Sequence, residues 1–275
     1  MAVELDKIAT EQRNPRTAHI DEVSTLEMVT LINSEDHRVA DAVQEVLPQI
    51  AEAVDLIADR LSNGGRLVYV GCGTSGRLGI LDASECPPTY NVSPELVQGL
   101  IAGGFPAIFK AVEGAEDSRE SGRAAMESLD LRPADVVVGL SAAGGAAFVL
   151  GALEYAGSRG CATAGITCNP DTPITKVCDM PIVVRTGPEV VTGSTRMKAG
   201  PAQKLILNML STCAMIQTGR VRENLMINVR PTNIKLVDRA VRIIRQLHPC
   251  SQEEAREALE RAGNDVARAL DLLEG

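Results

Sequence analysis

The sequence contains no tryptophan, and only three tyrosines and three phenylalanines among 275 residues. Any core must therefore be built from Val, Leu, Ile, Ala and Met. Stacking platforms for bases are scarce, which argues against single-strand nucleic-acid binding. Positive charge is also short. Lys and Arg number 27 against 36 Asp and Glu, a formal net charge of -9. That balance disfavours a DNA backbone or an anionic membrane as the partner. The seven cysteines, at 72, 86, 161, 168, 178, 213 and 250, form no C-x-x-C pair, and histidine occurs only at 19, 37 and 248. A zinc site is not expected, and scattered thiols suit a reducing cytosol. No apolar run is long enough to span a bilayer, and the opening "MAVELDKIATEQRNP" lacks the apolar centre of a signal peptide. The expected location is the cytoplasm.

What is present is a globular composition, 45% hydrophobic and 23% charged. Residues 1–33 are polar and turn-like and read as an N-terminal arm. From Arg38 to Leu61, Val39, Val43, Val46, Leu47, Ile50, Val54, Ile57 and Leu61 recur at helical spacing, with Pro48 set to kink or divide the helix and "NGG" at 63–65 ending it. Short β-branched runs then alternate with helical stretches. "RLVYVG", "ELVQGLIAGG", "DVVVGLSAAGG", "CATAGITCN" and "MPIVVRTG" read as strands or contain them. The pattern predicts an α/β fold with a central parallel sheet covered on both faces, within a main domain over 34–230. "STRMKAGPAQKLILNMLSTCAMIQTG" reads as a long helix with an awkward Pro201 in its early turns. The remainder, 231–275, reads as a small helical bundle, with Ser251 and Glu254 in capping-box spacing.

Three stretches carry chemistry. "GCGTSGR" joins a strand to a helix. Its glycines allow close backbone approach, Thr74 and Ser75 offer hydroxyls, and the helix start offers free N–H groups, so it reads as an anion site. Gly71, Gly73 and Gly76 also match the dinucleotide spacing. The second strand, however, ends "LIAGG" without the acid that would hold a ribose, so a phosphate or phosphosugar is preferred. Glu85 stands just before Pro87 and Pro88, which are expected to stop that helix. Glu113, Glu116 or Asp117 in "AVEGAEDS" could supply a second carboxylate for acid and base work, or could simply favour the start of the next helix, with Asp117 as its cap. Ser194, Thr195, Arg196 and Lys198 cluster where the long helix begins. They complete an anion site or cap that helix, and the sequence leaves the two even.

With "TEQRNP", "GCGTSGRLGILDASECPPTY", "AVEGAEDS", "CNPDTPI" and "GPEVVTGSTRMKAG" in view, the chain resembles the N-acetylmuramic acid 6-phosphate etherases, which have the sugar isomerase (SIS) fold. The resemblance runs over nearly the whole chain. It implies a three-layer α/β/α SIS-type fold with a UBA-like C-terminal segment, and cleavage of the D-lactyl ether by elimination and hydration. No metal or cofactor is implied. By the same resemblance Glu85 and Glu116 are the acid/base pair, and Gly73, Thr74, Ser75, Gly76, Arg77, Ser141, Gly144, Ser194, Thr195 and Lys198 hold the phosphosugar. A homodimer with its active site near the subunit boundary is also implied. Two departures stand out. Where the family has "AASGRTP" this chain has "SAAGGAA", so Ala143, Gly145, Ala146 and Ala147 replace Ser, Arg, Thr and Pro, and Pro201 replaces Thr. The altered loop leaves two further readings open: a lyase for a related muramyl sugar, and a sugar-phosphate sensor without turnover.

Overall fold

The structure, a computed structural model, describes residues 8–228, 231 and 234–274. The first seven residues of the expected arm, and most of the expected domain junction near 230, lie outside the described residues. The arm continues as three short 3₁₀ turns, Ala9–Glu11, Pro15–Thr17 and Ile20–Glu22. Helix α1 (Thr25–Gln44) begins with a full capping box, Ser24 with Glu27. Pro48 does divide the helical run. α2 (Leu47–Ser62) starts one residue before it, where its missing N–H goes unneeded.

The alternation then follows in order: β1 (Leu67–Gly71), α3 (Gly73–Tyr90), β2 (Val97–Ile101), α4 (Pro106–Phe109), α5 (Arg119–Glu127), β3 (Val136–Leu140), α6 (Ala147–Ser158), β4 (Ala162–Thr167), α7 (Ile174–Val177), β5 (Met180–Val183) and α8 (Ala199–Gln217). The five strands form one parallel sheet in the order β2-β1-β3-β4-β5. Period-two alternation assigns its two faces. Leu67, Tyr69, Val136, Val138 and Leu140 pack with α1, α2, α3 and α8. Val68, Val70 and Val137 pack with Met126, α6 and Ile174 on the other side. A small antiparallel pair, β6 (Val221–Arg222) and β7 (Leu225–Met226), leads to α9 (Ile234–Leu247), α10 (Gln252–Arg261) and α11 (Val266–Glu274). These three helices bury their own core of Ala240, Ile244, Leu259, Val266 and Leu270. Ser251 and Glu254 make the capping box. Among the described residues, no helix is long and apolar enough to cross a membrane.

Two expectations need correction. Pro87 and Pro88 do not stop α3, which runs through both to Tyr90 and ends at Asn91 in the left-handed region (φ 51°), whose N–H donates to Pro87 O at 2.9 Å. A proline φ near -65° is itself helical, and the loss is confined to two N–H donors near the helix end. Pro201 is not awkward. It is the third residue of α8, where no intrahelical acceptor exists for an N–H.

The arm and α8 are tied by a buried charge cluster. Lys198 (0% exposed) donates to Glu35 (2%) at 2.7 Å. Glu35 Oε2 also accepts from Asn14 Nδ2 at 3.0 Å and Arg16 Nη2 at 2.8 Å. Arg16, above all, holds the Glu35 carboxyl down at about 2 against the opposing effect of burial, with Lys198 and Asn14 helping. A Glu35→Ala change strands a buried ammonium and is expected to cost about 3–5 kcal/mol, read by urea unfolding. Because the carboxyl is depressed from its ordinary 4.5, its contribution is complete above pH 4.5 and disappears as pH falls towards about 2. Unfolding titrations should show that acid loss in the native chain and lack it in Glu35→Gln.

Candidate active site

The chain leaves β1 for β2 on one side and returns to β3 on the other. Gly71 therefore pairs with both Ile101 and Leu140, and the connections after β1 and β3 part from one another. Such a switch point leaves a crevice at the carboxyl ends of the strands. The crevice is a cleft of about 470 Å³ lined by Cys72, Gly73, Thr74 and Ser75 after β1, and by Ser141, Ala142, Ala143, Gly145 and Ala146 after β3. Gly73 opens α3 in the left-handed region (φ 50°), and a side chain there would meet nothing within 4 Å. Glu116, Asp117, Thr195, Gly193 and Glu11 complete the wall. Glu11 comes from the arm, which is pinned by Ala9 N–H to Asn169 Oδ1 at 2.8 Å and by Asn169 Nδ2 to Thr10 Oγ1 at 3.1 Å.

Two helices, α3 and α6, begin at this cleft, so their first N–H groups and positive dipole ends face it. No Lys or Arg is among the lining residues, whereas three carboxylates are: Glu11, Glu116 and Asp117. The attraction available to an anion is therefore that of backbone amides and of the Thr74, Ser141 and Thr195 hydroxyls, the Ser75 hydroxyl being directed at Gln203. Glu116 is placed by its own backbone, whose carbonyl accepts the Phe148 N–H at 2.9 Å and fastens its loop to the start of α6. Ser118, not Asp117, caps α5, taking the Ser121 N–H at 3.1 Å. The Cys72 thiol is pushed up to about 12 by burial and by the negative charges of Glu116 and Asp117, so it is a neutral wall group.

The anticipated residues separate into two groups. Gly73, Thr74, Ser75, Ser141, Thr195 and Glu116 meet at the cleft. Gly76 lies behind it, where an added Cβ would stand 2.6 Å from Ile101 Cγ1. Arg77 donates from Nε to Ile108 O at 2.8 Å and steadies the stretch around α4. Gly144 closes the second turn, donating its N–H to Ser141 O at 2.9 Å. Ser194 is half-buried and is not among the lining residues. Lys198 is committed to Glu35, and the start of α8 is already occupied. The Glu189 carboxylate accepts the Lys198 and Ala199 N–H groups at 2.7 and 3.0 Å. Burial pushes the Glu189 carboxyl up while those two N–H groups pull it down. Glu85 is exposed on α3, about twelve residues and about 18 Å along the helix from Gly73. Sequence reasoning passed over Glu11, whose signal was its place in "TEQRNP", and Gln203, buried behind Ser75 and accepting its hydroxyl proton at 2.8 Å.

Gly144→Ala tests the second turn. The residue sits at φ 75°, and a Cβ would lie 2.2 Å from Thr172 Oγ1. The substitution is expected to shift the 141–146 loop and weaken phosphate binding about tenfold or more, by calorimetry, while thermal unfolding stays cooperative.

Comparison with known proteins gives this geometry relatives. A model of the glucokinase regulatory protein N-terminal SIS domain matches residues 49–157, a SIS domain model matches 113–213, and a model of the C-terminal lid domain of glucokinase regulatory protein matches 223–271. Among solved structures, a putative phosphosugar isomerase from Bacteroides fragilis superposes with a TM-score of 0.55 at 20% identity, covering 73% of this chain and 95% of that one. The phosphoheptose isomerase of Neisseria gonorrhoeae gives 0.54 at 19%, covering 70% and 98%. These two establish the fold. The N-acetylmuramic acid 6-phosphate etherase of Aliivibrio fischeri is 54% identical over 98% of this chain and 90% of its own length, and that of Serratia proteamaculans is 54% identical over 98% and 91%. At that identity and coverage, with the SIS sheet and its switch-point cleft in place, the chain belongs to the N-acetylmuramic acid 6-phosphate etherase family.

Proposed function

We propose that the chain cleaves the D-lactyl ether of N-acetylmuramic acid 6-phosphate, giving N-acetylglucosamine 6-phosphate and D-lactate. The observation that carries this reading is Glu116 facing the same cleft as Thr74, Ser75 and Ser141. An anion held at the start of α3 leaves the sugar carbons within reach of that carboxylate. Glu116 takes the C2 proton of the open-chain aldehyde. The electron pair forms the C2–C3 double bond, conjugated with the C1 carbonyl, and the C3–oxygen bond breaks. D-lactate departs with a proton from a general acid, after which water adds at C3 and a proton returns to C2.

Glu85 is the second acid/base residue in this reading. Its own phosphate site is about 18 Å away along α3, further than one hexose spans, so the proposal gives Glu85 to the cleft of a second copy in a homodimer. The remaining parts of the proposal are a phosphosugar partner, a cytoplasmic location in keeping with seven free thiols, and a role in recycling cell-wall amino sugars. The arm at 1–33 and the helical unit at 231–275 flank the SIS domain in this scheme.

Ala143, Gly145 and Ala146 favour one alternative, since Ser141 is the one side-chain donor that this wall of the cleft carries among the described lining residues. A related muramyl sugar with a different anionic group, or none, would suit it. A coupled D-lactate assay decides. Release from the 6-phosphate supports the main reading, and release only from another muramyl sugar supports the alternative. Glu116→Gln and Glu85→Gln should each lower release by about a thousandfold or more while calorimetry still shows product binding. An unchanged rate in either variant removes that residue from the mechanism.

A further inference from the structure

The contact between Ser75 and Gln203 leaves an amide donor unused. Ser75 lines the cleft at the start of α3, and its hydroxyl donates to Gln203 Oε1 at 2.8 Å. Gln203, on α8, is 1% exposed, and its Nε2 has no hydrogen-bond partner. In this arrangement the single Ser75 proton points away from the cleft. The serine can then offer only lone pairs, which repel an anion, while two amide protons stand idle inside the protein. A half-turn of the terminal amide keeps the 2.8 Å contact and reverses it. Nε2 then donates to Ser75 Oγ, the serine proton turns to the cleft, and the group left without a partner is a carbonyl oxygen, which is better tolerated in burial than an N–H.

We propose that Gln203 is the positioning residue for anion recognition: its buried amide, turned so that Nε2 donates to Ser75 Oγ, makes Ser75 a donor to an anionic group in the cleft. This rests on the reading of the cleft as a phosphosugar site and adds the element that selects a phosphorylated ligand over its neutral counterpart. The need is specific to this cleft, because no lining cation does the work and the second turn carries no side-chain donor at 143, 145 or 146. No covalent step is involved. The Ser75 proton, freed from Gln203, makes one hydrogen bond to the ligand.

The test measures binding of inorganic phosphate and of N-acetylglucosamine 6-phosphate by calorimetry, with unphosphorylated N-acetylglucosamine as reference, together with D-lactate kinetics. Gln203→Glu presents only acceptors, so it captures the serine proton permanently. Its affinity for both phosphorylated probes should fall about tenfold or more, with KM rising and kcat nearly held, because the contact is remote from the breaking bond. Gln203→Met leaves the serine proton free but unoriented, and a loss of about threefold is expected. This milder variant keeps the test open if the glutamate does not fold, which thermal unfolding reports. In a Ser75→Ala background both penalties should shrink sharply. Undiminished penalties there, equal affinities in Gln203→Met and the native chain, or native protein that binds neither phosphorylated probe would overturn the inference. Failure of the native chain to release D-lactate, with the phosphate affinities still ordered as described, would overturn the proposed reaction and leave Gln203 in its role.

Discussion

The structure turns on the parting of the chain after β1 and β3. A parallel sheet whose neighbouring strands send their connections in opposite directions cannot close the gap between them. Here Cys72 and Ser141 begin side by side, because Gly71 and Leu140 are paired, and everything after them diverges. The two following helices are thereby aimed at one volume. Their dipoles add, and the loop bearing Glu116 is fastened across the gap by a single amide from Phe148. The cleft is thus a backbone opening, with side chains as its lining.

The rest of the scaffold keeps competing charges out of that opening. Glu35 absorbs Lys198, Arg16 and Asn14 in one buried cluster, and Glu189 fills the first amides of α8. A helix start and a lysine that looked available for ligand are spent on holding the arm against the core. The arm in turn delivers Glu11 to the cleft.

Much of the fold was legible because its signals are local. Leu67–Gly71 alternates between two apolar layers, Pro48 breaks one helix from the next, and Ser251 with Glu254 announces a helix start. The errors came where local rules meet tertiary context. Pro87 and Pro88 look like a stop, yet the helical φ they impose lets α3 continue to Tyr90. The site was legible as far as motifs reach: Thr74, Ser75, Ser141, Thr195 and Glu116 do face one cleft. Lys198 was not, since its partner is 163 residues away in the chain. Nor was Gln203, whose meaning exists only once α8 lies against α3. Glu85, exposed on α3 about 18 Å along the helix from Gly73, has a role that its local motif does not locate.

Under the proposed function, a cleft whose attraction for an anion is that of backbone amides and hydroxyls, inside a chain of net charge -9, has a kinetic signature of its own. Long-range fields do not steer a doubly charged sugar towards it, and salt, by screening the repulsion, eases the approach. Departure is helped by the same arrangement, for no ion pair has to be broken as the product leaves. The absence of a lysine or arginine among the described lining residues therefore favours rapid exchange over tight retention, a suitable property where the product carries the same phosphate as the substrate.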